Sequence, residues 1–186
     1  MPVLAVILTA CGAESPEPTS AVDGAASDSA GVESSGSAVT ETSPEGSQVP
    51  AVAVPKILDF SANTVAGGAF EGASLMGKPA VLWFWAPWCP TCRGQIEVVS
   101  ALADEYGDEV NFVGVGSLDD ASAIEDFAGD VPADLPHLLD PDGDVWRHFG
   151  VVEQSTFVVL DADSDVVSEG YLDDAELADL VSGLAG

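Results

Sequence analysis

The sequence predicts an α/β domain over residues 51–186, with a central mixed β-sheet flanked by helices on both faces. Three observations carry this. Strand-like apolar runs alternate with helical segments early in that span. The run Ala80–Trp85 is continuously apolar, as in a strand covered on both faces. Near the carboxyl end a short polar turn joins two strand-like segments, so the sheet combines parallel with antiparallel neighbours.

Taken in order, Val52–Phe60 reads as the first strand, with a loop after it. Gly77-Lys78-Pro79 punctuates the chain before Ala80–Trp85, where Trp83 and Trp85 share one face and are expected in the core. Cys89 to Tyr106 follows as a helix closed by Gly107; Ile96, Val99 and Leu102 recur at helical spacing, with Ala103 beside them. Val110–Val115 is rich in β-branched residues and is the next strand. Asp120 caps a short helix over Ala121–Ala128. A loop around Pro132 and Pro136 leads to the turn Asp140-Pro141-Asp142-Gly143, a helical turn near Val145–Phe149 and a strand Phe157–Leu160. Asp161, Asp163 and Asp165 have the acid spacing of a calcium loop. Val166 stands where that loop needs glycine, however, and Leu172 where it needs a bidentate glutamate, so the segment reads as a hairpin turn into Val166–Glu169. Asp173 opens the last helix, with Glu176 three residues on as in a capping box.

Composition excludes several partners. Of 186 residues 32 are Asp or Glu and only 4 are Lys or Arg, a formal charge of −28. Lys56, Lys78, Arg93 and Arg147 are too few and too scattered to displace counterions from nucleic acid. An anionic membrane surface is an equally poor electrostatic partner. The hydrophobic fraction of 47% suffices for a core. The dense acids fit solubility by self-repulsion or life in a salty milieu.

The first fifty residues read differently. Val3–Leu8 is apolar and runs into Leu8-Thr9-Ala10-Cys11, which resembles a lipoprotein lipobox, with Cys11 the lipidated residue. Residues 1–10 are thus expected to be a truncated lipoprotein signal segment. Residues 11–50 are rich in Ser, Ala, Gly and acids and poor in anything that packs, the composition of a disordered tether. The membrane is then reached only through the lipid anchor, on the outer face of the cytoplasmic membrane, unless the protein is secreted outright.

Cys89-Pro90-Thr91-Cys92 uses the two remaining cysteines. The pair follows a buried strand and opens a helix. At a helix N-terminus the unpaired N–H groups and the macrodipole favour an anion, so Cys89 should carry the thiolate and act as nucleophile. Cys92, one turn on, is placed to resolve a mixed disulfide. Pro90 suits the first turn, where no N–H is needed. A plain structural disulfide and half of a zinc site are the alternatives. Zinc would require two further Cys or His ligands, and only His137 and His148 are available, without a short ligand spacing. Both histidines read as satisfied structural residues. Trp88 stands just before the nucleophile, where an apolar ring serves either substrate contact or packing.

The segment Gly77-Lys78-Pro79-Ala80-Val81-Leu82-Trp83-Phe84-Trp85-Ala86-Pro87-Trp88-Cys89-Pro90-Thr91-Cys92 resembles the active-site region of extracytoplasmic thioredoxin-fold proteins of the TlpA/DsbE-like group, its secreted mycobacterial members above all. The resemblance continues through Asp142-Gly143-Asp144-Val145-Trp146, Phe149-Gly150-Val151 and Thr156-Phe157-Val158-Val159. It implies a thioredoxin fold and an enzyme, a thiol:disulfide oxidoreductase acting on thiols and disulfides of exported proteins. Its partner set would be those proteins and an unidentified membrane redox protein, with the chain itself a monomer and no cofactor or metal. Trp88, Pro90 and Thr91 complete the implied active-site motif, and Gln154, Ser155 and Thr156 form the implied substrate-facing loop. This chain departs from the group twice. Ser155 occupies the position of the proline that faces the dithiol, and Gln95 replaces the glutamate that many TlpA-like reductants carry beneath it. The resemblance and Pro90 favour oxidation of substrates. A TlpA-like reductase keeping apocytochrome c or other exported thiols reduced, and a non-catalytic binding lipoprotein, are the alternatives.

Overall fold

The computed structural model describes residues 53–132 and 134–186. The lipobox, Cys11 and the expected tether lie outside the described residues. Seven strands form one sheet: β1 (Ser61–Thr64), β2 (Ala69–Glu71), β3 (Ala80–Trp85), β4 (Asn111–Gly116), β5 (His137–Leu139), β6 (Thr156–Leu160) and β7 (Val166–Gly170). Their order is β2-β1-β5-β4-β3-β6-β7. β3, β4 and β5 are mutually parallel, whereas β6 and β7 continue the sheet antiparallel, as do β1 and β2 at the other edge. The expected mixed sheet is thus formed. Among the described residues four helices accompany it: α1 (Pro90–Tyr106), α2 (Ala121–Gly129), α3 (Asp144–Phe149) and α4 (Asp174–Ala185).

Strand alternation divides the core in two. Val81, Trp83 and Trp85 of β3 point to the face that packs Val99 and Leu102 of α1, Ile124 and Phe127 of α2, and Leu177 and Val181 of α4. Leu82 and Phe84 point to the opposite face, against Val145 and Trp146 of α3 and against Leu58 and Leu75 from two short 3₁₀ turns. Both tryptophans of β3 are buried as expected, and Trp85 stacks on Phe127 with ring centroids 4.3 Å apart. The caps also form as read. Asp120 accepts from the Ala123 N–H, and Asp173 with Glu176 makes the reciprocal capping box. The Asp161 carboxylate accepts the N–H groups of Asp163 and Asp165, which closes the hairpin between β6 and β7.

Two expectations are corrected. The strand read over Val52–Phe60 is absent from its described part: Lys56–Leu58 is a 3₁₀ turn, and the first strand is Ser61–Thr64. Pro55 starts the turn with φ near −56°, and turning drops Leu58 into the core instead of leaving it on an edge. β1 and β2 alternate only weakly in hydrophobicity because they lie at the sheet margin; pairing with β5 holds β1, and β1 in turn holds β2. The loop around Pro136 ends in β5, three residues too short to leave a periodic signal.

β4 packs against Trp85 so closely that its last residue has no room for a side chain. A Cβ on Gly116 would lie 2.6 Å from both Ile124 Cγ2 and Trp85 Cη2. Gly116→Ala is expected to cost about 2 kcal/mol of stability by overpacking, read as a lower midpoint with unchanged slope in urea unfolding. An unchanged midpoint would refute the tight packing.

Candidate active site

Topology delivers three segments to one end of the sheet. β3 ends at Trp85 and the chain turns through Ala86–Cys89 into α1. β4 lies parallel to β3 with Trp85 opposite Gly116, so Ser117 and Leu118 emerge beside that turn. β6 runs antiparallel with Thr156 opposite Phe84, which places Ser155 at the same end. The pair Cys89/Cys92 and the loop Gln154–Thr156, far apart in sequence, are thereby brought together as the resemblance implied.

Cys89 is the N-cap of α1 with extended backbone, and its Sγ accepts the Cys92 N–H at 3.2 Å. Pro90 occupies the first helical turn, as its missing donor allows. Both cysteines are free thiols. Cys89 is 3% exposed and Cys92 not at all, so an incoming sulfur meets Cys89 first. Burial acts to raise the Cys89 pKa. The neighbouring Cys92 side chain, the Ser155 hydroxyl and the N–H groups of Cys92 and Thr91 outweigh it and hold the pKa below the ordinary thiol value. Burial, reinforced by the neighbouring Cys89 sulfur, pushes the Cys92 thiol up to about 11. The surroundings thus favour the anion at Cys89 over Cys92, the direction expected from the helix N-terminus.

Ser155 lies between them, its Oγ 3.2 Å from Cys89 Sγ and 3.1 Å from Cys92 Sγ. Its backbone is left-handed, with φ near 65°. Thr156 instead turns its hydroxyl to the Glu153 carbonyl, which shapes the loop and leaves the sulfurs to Ser155. Gln95, beneath the pair, is buried and fully engaged: its Oε1 accepts from Trp83 Nε1 at 2.8 Å and its Nε2 reaches the Ser155 carbonyl at 3.5 Å. It therefore acts as a brace between the core and the Ser155 loop, a role its residue type did not announce.

Trp88 is 55% exposed and donates its indole N–H to the Leu118 carbonyl at 3.1 Å. That bond fixes the ring as an apolar wall beside Cys89. Leu118 has φ near 63°, rare for a large side chain, and is itself exposed. No sequence signal marks Leu118; it joins the site only through the register of β4 on β3. The Ser155 bridge was more accessible to reading, since a hydroxyl at a loop facing two thiols has few other uses.

The histidines lie apart from the pair, and one expectation about them is corrected. His148 is satisfied, its Nε2 2.9 Å from the Ile57 carbonyl. His137 is 8% exposed, lies edge-on to Trp83 and Trp85, and has no hydrogen-bond partner at either ring nitrogen among the described residues. Burial lowers its pKa to about 4, so it is a neutral ring packed as an aromatic. Asp140, read only as part of a turn, is buried and accepts the N–H groups of Asp144, Val145 and Trp146, capping α3.

Known proteins agree with this geometry. The Redoxin family profile matches residues 44–184. Soluble secreted antigen MPT53 of Mycobacterium tuberculosis is 42% identical over 113 residues, which cover 61% of this chain and 65% of MPT53. Among solved structures, MTB dsbF in its mixed oxidized and reduced forms is 44% identical with a TM-score of 0.66, covering 71% of this chain and 99% of dsbF. A secreted M. tuberculosis disulfide oxidoreductase homologous to E. coli DsbE is 36% identical with a TM-score of 0.64, covering 69% of this chain and 98% of that one. With its dithiol at the N-terminus of α1 and a mixed sheet behind it, the chain belongs to the Redoxin family, in the thioredoxin-fold group of DsbE/TlpA-like proteins.

Proposed function

We propose that the protein is an extracytoplasmic thiol:disulfide oxidoreductase that gives disulfides to exported proteins through Cys89 and Cys92. The observation that carries this reading is the placement of two free thiols at the head of α1, with Cys89 capping the helix and accepting the Cys92 N–H and Cys92 fully buried behind it. A substrate thiolate attacks Cys89 Sγ of the Cys89–Cys92 disulfide, the S–S bond breaks, and its electron pair goes to Cys92, which takes a proton. A second substrate thiol attacks the mixed disulfide and releases Cys89 as thiolate. The bonds that stabilise this thiolate act only in the reduced protein, so they favour reduction of the enzyme and oxidation of the substrate. Gln95 supports the same direction, because its amide cannot accept the Cys92 proton as a carboxylate would.

Trp88 and the Gln154–Thr156 loop flank Cys89 and form the surface for an extended substrate segment. Lipidation at Cys11 and an acidic tether over residues 11–50 would hold the monomer at the outer face of the cytoplasmic membrane, within reach of a membrane redox partner. The similarity to secreted relatives supports the extracytoplasmic setting.

Equilibrating the full-length chain with glutathione buffers tests the reading. The expected potential lies nearer the −120 mV or so of DsbA than the roughly −270 mV of thioredoxin. A value at or below about −270 mV would make the protein a reductant. Absence of any exchange would leave a binding scaffold.

A further inference from the structure

The hydroxyl of Ser155 is within hydrogen-bond distance of both sulfurs, yet neither step above assigns it a task. Its oxygen is 3.2 Å from Cys89 Sγ and 3.1 Å from Cys92 Sγ, and the residue is buried. Its position is fixed from behind: Trp83 Nε1 donates to Gln95 Oε1, and Gln95 Nε2 reaches the Ser155 carbonyl. A hydroxyl offers one donor and two acceptor sites. Between a thiol and a thiolate it can use both functions at once.

We propose that Ser155 sets the redox poise of the pair, its hydroxyl accepting the Cys92 S–H and donating its own hydrogen to the Cys89 thiolate. This rests on the disulfide-exchange reading and adds to it the group that tunes the exchange. The relay runs S–H···O–H···S⁻ and belongs to the reduced protein alone. When the pair oxidises, the Cys92 proton leaves, two electrons pass to the disulfide of the oxidising partner (glutathione disulfide in the test below), which is reduced to two thiols, and the S–S bond consumes the negative charge. Ser155 then faces two disulfide sulfurs, which are poor acceptors and offer no donor. Both hydrogen bonds are lost, so the relay stabilises the dithiol relative to the disulfide. The lowered pKa of Cys89, to which the Ser155 hydroxyl contributes, follows from the same bond. A proline at this position would supply neither bond.

Two full-length variants separate the hydroxyl from the backbone. Ser155→Gly removes the hydroxyl and tolerates the positive φ without strain, whereas Ser155→Ala removes it and retains the strain. In glutathione equilibration both are expected to shift the dithiol–disulfide constant by about 10- to 100-fold toward the disulfide, which lowers the potential by about 30–60 mV. The Cys89 thiolate absorbance near 240 nm should titrate about one pH unit or more higher in both. Thermal midpoints of the oxidised proteins control for a structural role: the oxidised glycine variant should be no less stable than oxidised wild type, while the variant still shows the full redox shift. If Ser155→Gly keeps the wild-type constant within about threefold, or if only the alanine variant shifts, the hydroxyl does not set the poise. A wild-type protein that exchanges with glutathione while the variants match it overturns only this inference. A wild-type protein that does not exchange overturns the proposed function and this inference together.

Discussion

Replacing Cys89 with serine is expected to abolish disulfide exchange, by about a thousandfold or more, whereas Cys92→Ser should retain the first attack and stall after it. The asymmetry follows from position. Cys89 caps α1, accepts the Cys92 N–H and keeps the only exposure in the pair, so it meets the partner sulfur. Cys92 is fully buried, with its sulfur behind Cys89 and within hydrogen-bond distance of the Ser155 hydroxyl, so its expected task is to leave or resolve. Cys92→Ser incubated with a disulfide-bearing peptide should therefore accumulate a mixed disulfide at Cys89, seen as a peptide-sized mass increase that dithiothreitol removes. Ionisation gives a second readout. The Cys89 thiolate forms below the ordinary thiol pKa, while Cys92 ionises only near pH 11. Iodoacetamide near neutral pH should then label Cys89 in the reduced protein and spare Cys92. Equal labelling, or an adduct on Cys92 in the Cys89→Ser variant, would reverse the assigned roles.

Acid should destabilise the domain through His137, against the trend of its surface. This ring titrates near pH 4 in the fold, compared with an ordinary value of 6.5. A group whose folded pKa is depressed contributes stability that is present above 6.5 and is lost as pH falls toward 4, here on the order of 3 kcal/mol. Protonation would place a cation edge-on against Trp83 and Trp85, with no acceptor at either nitrogen among the described residues. Asp140 works the other way. Burial raises its pKa despite three N–H donors, so its contribution grows as pH falls and is lost as pH rises through its folded pKa. Protonating the surface carboxylates also relieves repulsion in a chain of charge −28. The informative quantity is therefore the difference between wild type and His137→Phe, which keeps an aromatic ring without a titrating nitrogen. From pH 7 to pH 4, wild type should lose about 3 kcal/mol relative to the variant in urea unfolding. Parallel curves would show that His137 does not govern acid stability.

The candidate site was legible where chemistry and local structure coincide. Cys89 and Cys92 stand between a continuously apolar strand and a helix, and that junction alone sets the spacing, the cap and the nucleophile. Trp83 and Trp85 were readable as core because alternation on β3 puts both on one face. The Asp173–Glu176 capping box depends on residues three apart, so its signal is wholly local. β1, β2 and β5 were not legible, because strands of three or four residues at a margin derive their stability from partners distant in sequence. Pro55 and the burial of Leu58 convert the expected first strand into a turn for the same reason.

The mixed α/β class, the dithiol at the head of a helix and the net acidity were all legible in the sequence, because each depends on residue type and near-neighbour spacing. Tertiary structure decided what surrounds the dithiol. Parallel pairing of β4 with β3 carries the Leu118 carbonyl to Trp88, and antiparallel pairing of β6 with β3 brings Ser155 between the two sulfurs. Gln95, read as the loss of a base, becomes a brace only when the core supplies Trp83 and the loop supplies a carbonyl. Hydrogen bonds require partners within about 3 Å, and for groups more than sixty residues apart the sheet register alone imposes that distance.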